Sequence, residues 1–89
     1  MITRELDIVN KLGLHARAAA KLVKLSSTFE SSIDIQKEDQ RVNSKSIMGV
    51  MMLAASYGSR VTLHVEGADE KQAAAAITDL IERRFDEEE

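Results

Sequence analysis

The chain has no cysteine, no proline and no tryptophan, and only three aromatic residues among its 89. Without cysteine there can be no disulfide and no thiolate metal site, and the composition fits a reducing compartment. Phe29, Tyr57 and Phe85 are too few to stack on a string of bases. With a formal net charge of −3, the chain also lacks the positive footprint of a nucleic-acid binder. No apolar run approaches the roughly 20 residues needed to cross a bilayer. Met1 leads straight into the alternating Ile2–Ile8 segment rather than into a secretory signal. The expectation is a cytoplasmic protein with no nucleic acid partner, no membrane insertion and no cofactor.

What is there is enough for one small domain. A chain of this length buries about 60–65% of the surface its unfolded form exposes. With 44% apolar and 30% charged residues it reads as globular, not disordered. Charge is placed unevenly. Asp86-Glu87-Glu88-Glu89 form an acidic tail; without them, 12 basic groups face 11 acidic ones. The division expected is a domain over residues 1–85 and a tail over 86–89 that frays. Lys11, Arg17, Lys21 and Lys24 gather early in the chain as a local basic face.

Apolar periodicity supplies the elements. Residues 2–9 alternate and predict a strand. Residues 10–14 are a loop, and residues 16–28 carry Ala19, Leu22 and Val23 at helical spacing. Residues 32–37 alternate around Ile33 and Ile35, Glu38-Asp39-Gln40 turn, and Arg41-Val42-Asn43 return as a hairpin partner. Residues 47–54 predict a short helix, and 60–66 a strand with Val61, Leu63 and Val65 on one face. Asp69 and Gln72 form a capping-box pattern for a helix over 70–84, with Arg83 and Arg84 complementing the dipole in its last turn. The β-α-β-β-α-β-α order, with one wet face per strand, implies an α+β fold. The architecture is a two-layer open-faced sandwich. Its four-stranded, mostly antiparallel sheet is covered on one face by three helices.

The first helix begins oddly. Gly13, Leu14 and His15 precede it, with no Ser, Thr, Asp or Asn as cap. Leading N–H groups of a helix lack internal partners and, with the positive end of the dipole, attract anions. An imidazole at that mouth could carry a phosphoryl group, with Arg17 and the amides holding its oxygens. The plain alternative is a surface or cap histidine, since isolated histidines are common and the chain offers no obvious base partner. His64, the other histidine, alternates with Leu63 and Val65 and belongs on the wet side of the sheet, so no metal site is expected.

The segment Asn10-Lys11-Leu12-Gly13-Leu14-His15-Ala16-Arg17-Ala18-Ala19 resembles the active-site segment of HPr, the histidine-containing phosphocarrier of the bacterial phosphoenolpyruvate-dependent phosphotransferase system. Ser44-Lys45-Ser46-Ile47-Met48-Gly49-Val50-Met51-Met52-Leu53 is similar to that family's second-helix segment. The resemblance implies that His15 accepts a phosphoryl group on Nδ1 from phosphorylated enzyme I. It would then pass the group to a histidine on a IIA protein or domain, with Arg17 stabilising the transferred group. The protein would be a carrier and not an enzyme, since such transfer needs mainly placement and charge stabilisation. Ala18 stands where the family commonly has proline; alanine also favours helix, so the geometry should survive. The Asn-Lys-Leu-Gly start and the acidic tail are also similar to NPr, the paralogue of the nitrogen-related branch, which is the alternative to a role in sugar transport.

The short second helix carries apolar residues on more than one side. Val50 and Leu53 are expected in the core. Ile47, Met48 and Met51 are expected to form an exposed partner-binding patch, and Lys21 and Lys24 a basic rim beside it. Complexes there should be weak and transient, and the free chain a monomer. Ser46 is a natural N-cap, with Ser44 as a competitor. The resemblance supplies a second role for Ser46, regulatory phosphorylation by HPr kinase/phosphorylase. Two rivals to the carrier reading remain. One is a regulator that docks through its Met-rich helix with His15 incidental; the other is a small RNA-binding domain.

Overall fold

A computed structural model describes residues 1–87. The elements run β1 (Ile2–Asp7), α1 (Ala16–Ser26), β2 (Ser32–Lys37), β3 (Gln40–Asn43), α2 (Ile47–Met52), β4 (Arg60–Glu66) and α3 (Glu70–Glu82). A three-residue turn, Arg84–Asp86, follows. The strands form one sheet in the order β1-β4-β2-β3, and every neighbouring pair is antiparallel.

The register follows from the apolar alternation. In β4, Val61, Leu63 and Val65 all point to the buried face, and their partners match: Val61 opposes Leu6, Val65 opposes Ile33, and Leu63 opposes Ile35. A slip of one residue would turn each of these side chains into water, so burial on one face fixes the pairing. The helices supply the second layer. Ala18, Ala19 and Leu22 of α1, Val50 of α2, and Ala73, Ala74, Ile77 and Ile81 of α3 have no exposed surface. The alanines let the helix backbones approach where a larger side chain would hold them apart. The result is the open-faced α+β sandwich that the element order implies, with its N-terminus paired to α3. The Met1 ammonium lies 3.0 Å from the Glu70 carboxylate.

Helix ends differ from the periodic reading. α1 stops at Ser26, α2 at Met52 and α3 at Glu82, each two residues early. The capping box at Asp69 does not form: Asp69 makes no side-chain bond to its own helix. Its carboxylate instead accepts from the N–H groups of Glu30 (2.9 Å) and Ser31 (3.0 Å) and from the Ser31 hydroxyl. These bonds, the Ser31 hydroxyl first, hold the Asp69 carboxyl below its usual range. The loop before β2 outcompetes the helix because its own N–H groups have no strand partner. Arg83 closes α3 and pairs with Asp79 and Asp86. It does not act as a cation inside the last turn.

The chain then leaves the helix sharply. Arg84, Phe85 and Asp86 all have positive φ (61°, 55° and 64°). For residues other than glycine this left-handed conformation costs about 1–2 kcal/mol each. What offsets it is Phe85, whose side chain is fully buried, and the Lys21 ammonium, which donates to the Phe85 carbonyl at 2.7 Å. Asp86 and Glu87 therefore lie against the body at the start of α1; Glu88 and Glu89 fall outside the described residues.

Candidate functional site

The loop from β1 to α1 is built around one buried polar residue. Asn10 has no exposed surface. Its side-chain amide donates to the Gly13 carbonyl at 2.8 Å, and the Gly13 N–H donates back to the Asn10 carbonyl at 3.1 Å. Leu14, also buried, donates its N–H to the Ala55 carbonyl at 2.8 Å. That closeness dictates Gly13. Its φ is +66°, and a Cβ there would sit 2.6 Å from the Ala55 oxygen and 2.8 Å from Ser56 Cα. Residues 10–14 are thus clamped between α2's exit and the helix they introduce.

The clamp delivers His15 to the N-cap of α1. Its backbone is extended (φ −73°, ψ 176°), and its side chain makes no capping bond. The first helical hydrogen bond runs from the Ala19 N–H to the His15 carbonyl at 2.8 Å. The N–H groups of Ala16, Arg17 and Ala18 therefore precede the helical ladder, at the positive end of the dipole. His15 and the exposed Arg17 line one open cleft of about 880 Å³ with Lys11, Lys21, Asp86 and Glu87.

The chain was expected to offer the His15 ring no base partner, and the structure corrects this: Glu87 reaches it from the C-terminal turn. The ring Nε2 contacts a carboxylate oxygen of Glu87, and the other oxygen of that carboxylate accepts from the Asn10 amide at 2.9 Å. Burial opposes ionisation of Glu87, but the bonds from Asn10 and His15, with the charge of Lys21, outweigh it. The group is held below the usual glutamate range. An ionised carboxylate can only accept, so this contact is a hydrogen bond when Nε2 bears a proton. The chain Asn10–Glu87–His15 joins residues 72 to 77 positions apart. The acidic terminus, expected to fray, is placed through Glu87 by this contact and by Phe85. The isolated Phe85 between Arg84 and Asp86 is the signal that could have predicted it, because an apolar ring amid charge needs a place in the core.

The remaining expected residues are distributed around this centre. Lys21 lines the cleft, but its ammonium is engaged by the Phe85 carbonyl and lies 4.0 Å from Asp86. It straps the C-terminal turn as well as charging the rim. Lys24 is exposed in the last turn of α1. On α2, Ile47, Met48 and Met51 are exposed, as is Met52, whereas Val50 and Leu53 are buried. The exposure and burial are those expected from the sequence, and Met52 joins the exposed residues. Ser46 caps α2, its Oγ accepting from the Gly49 N–H at 3.2 Å. Ser44 is no competitor: it is buried and donates its hydroxyl to Ser26 Oγ at 2.9 Å. His64 lies on the open face of the sheet, half-buried, with Nε2 2.8 Å from the Gln36 side-chain oxygen. No described helix is long and apolar enough to cross a membrane.

An imidazole thus stands at an uncapped helix mouth, beside an arginine and backed by a carboxylate, where the leading N–H groups of α1 favour an anion. Comparison with known proteins identifies the family. Residues 2–83 match the family model described as "PTS HPr component phosphorylation site". The chain is 52% identical over 89 residues to "Phosphocarrier protein HPr" of Cupriavidus necator, covering all of both chains. Among solved structures it is similar to HPr-C-His from Thermoanaerobacter tengcongensis (TM-score 0.97, 48% identity, all of both chains). It is also similar to an HPr dimer from the same organism (TM-score 0.79, 50% identity, 92% of this chain and 94% of that one). The chain belongs to the HPr family, the phosphocarrier proteins of the phosphotransferase system.

Proposed function

We propose that His15 accepts a phosphoryl group on Nδ1 from phospho-enzyme I and delivers it to a histidine of a IIA protein or domain. The observation that carries this reading is the ring at the mouth of α1, with its Nε2 already engaged by Glu87. The lone pair of Nδ1 then forms the new N–P bond while the donor's bond to phosphorus breaks, and no proton need leave the ring. Arg17 and the first N–H groups of α1 balance the charge of the phosphoryl oxygens. No cofactor enters this scheme. The protein works in the cytoplasm as a substrate of phosphotransferases and supplies little catalysis of its own.

Ile47, Met48 and Met51 form the apolar contact for both partners, and Lys24 and Lys21 attract their acidic surfaces. Methionine suits a patch that must fit two different proteins. The free carrier is a monomer, so that this patch stays open to them. Ser46 supports a second input, phosphorylation by HPr kinase/phosphorylase. A phosphate there would sit at the start of α2, next to Ile47, and add negative charge to the docking patch.

The test is incubation with enzyme I and phosphoenolpyruvate, followed by peptide mapping. Acid-labile phosphate on His15, lost in His15→Ala, is expected. Label that persists in the variant would overturn the assignment. For the second input, the kinase and ATP should place acid-stable phosphate on Ser46; its absence removes the regulatory role.

A further inference from the structure

Glu87 is too well placed to be a piece of acidic tail. Its side chain is only 15% exposed, and both carboxylate oxygens are used, one by the buried Asn10 amide and one by His15 Nε2. Three consecutive left-handed residues and a buried phenylalanine bring it there. Asn10 is itself locked, because the same amide nitrogen also donates to the Gly13 carbonyl. We infer that Glu87 is a positioning residue for phosphoryl transfer: held by Asn10, it keeps the imidazole proton on Nε2 and so presents the Nδ1 lone pair at the mouth of α1. This inference rests on the carrier reading above and adds to it the residue that sets the tautomer.

The chemistry is a general one. A neutral imidazole has one proton to place, and the nitrogen bearing it cannot attack phosphorus. A carboxylate accepting from Nε2 settles the placement, as an orienting acid does for other catalytic histidines. When Nδ1 takes the phosphoryl group, the ring becomes cationic with its proton still on Nε2, and the same carboxylate faces that charge. When the group leaves, the electron pair of the N–P bond returns to Nδ1. The ring is then neutral and ready, with its Nε2 proton never released. Arg17, Lys11 and Lys21 line the same cleft as Glu87, but their positive charge suits the phosphoryl oxygens, whereas the Glu87 carboxylate is taken by Asn10 and His15 Nε2.

The arrangement makes an unusual prediction about Glu87→Gln. Asn10 offers N–H and cannot turn without losing Gly13, so the glutamine oxygen must face Asn10. The glutamine NH2 then faces His15 and favours a bare Nε2, moving the proton to Nδ1. The charge-neutral, same-sized variant should therefore be worse than Glu87→Ala, which only removes the preference. In the 15N spectrum of the full-length protein, recorded at alkaline pH, wild type should show His15 Nδ1 as the bare nitrogen. Glu87→Gln should move the proton to Nδ1, and Glu87→Ala should give a mixture. Transfer from phospho-enzyme I should slow by roughly threefold in Glu87→Ala and by roughly tenfold or more in Glu87→Gln. An unchanged tautomer in Glu87→Gln would overturn the inference, and so would faster transfer in either variant, which would make Glu87 a cover that obstructs the ring. The tautomer measurement needs no phosphoryl donor. Failure of wild type to take up phosphate would thus count against the carrier reading alone, and an unmoved tautomer against Glu87 alone.

Discussion

Replacing Gly13 by alanine perturbs the site without touching any group that carries charge. Two costs arise. The residue sits at φ +66°, which alanine tolerates at about 1 kcal/mol over glycine. The new Cβ would also lie 2.6 Å from the Ala55 oxygen and 2.8 Å from Ser56 Cα, both backbone atoms that cannot rotate away. The loop must shift by several tenths of an ångström, weakening the bond from the Leu14 N–H to the same Ala55 oxygen. Overpacking against a rigid neighbour costs about 1–3 kcal/mol. The total is about 2–4 kcal/mol, a large share of the stability of a small domain. Gly58 is the internal control: its φ is +86°, yet a Cβ there meets nothing within 4 Å. Gly58→Ala should cost only the conformational part, about 1 kcal/mol. Urea unfolding followed by far-UV circular dichroism measures both. At about 4–8 °C per kcal/mol for a domain of this size, the two melting temperatures should also separate clearly. Gly13→Ala and Gly58→Ala losing equal stability would refute the close approach at Ala55 and the clamp built on it.

Phe85→Ala removes the only buried aromatic anchor of the C-terminal turn, and a loss of about 3–5 kcal/mol in urea unfolding is expected. A small loss would mean that the turn is not held by its side chain. Ser46→Ala deletes the bond to the Gly49 N–H and should cost about 1 kcal/mol by the same assay, with no change in the His15 ring's NMR signals. Three of the described carboxylates should contribute to the acid limb of stability. Asp69, Glu70 and Glu87 are all held below their usual values when folded: Asp69 chiefly by the Ser31 hydroxyl, Glu70 by the Met1 ammonium, and Glu87 by Asn10 and His15 against the opposing effect of burial. Their contribution is complete above the unfolded values near 4 and is lost as pH falls through the lower folded ones. Unfolding free energy measured against pH should thus decline below about pH 4–5, and Asp69→Asn should flatten the decline. An unchanged slope would remove Asp69 from that account.

The sheet was readable because its strands have one dry face. Alternation at Val61, Leu63 and Val65 and at Ile33 and Ile35 states both the element and its orientation. The mouth of α1 was readable from the missing cap before Ala16, and the Met-rich patch from α2 having more apolar residues than a small core can cover. What periodicity could not show is where polar side chains go. Asp69 has the spacing of a helix cap and serves a distant loop instead, because tertiary hydrogen bonds were available to it. Asn10 reads as loop and is buried; Glu87 reads as tail and closes on the imidazole. Both facts depend on contacts between the two ends of the chain, which local pattern does not encode. Three left-handed residues in a row without glycine are equally invisible, since it is the burial of Phe85 and the bond from Lys21 that make them tolerable.

The most direct measurement is the site of the N–P bond. Protein labelled with 15N in its histidines, phosphorylated by enzyme I and phosphoenolpyruvate, should show 31P coupling to His15 Nδ1, with Nε2 still protonated against Glu87. Coupling to His15 Nε2, or phosphate on His64, would contradict the account.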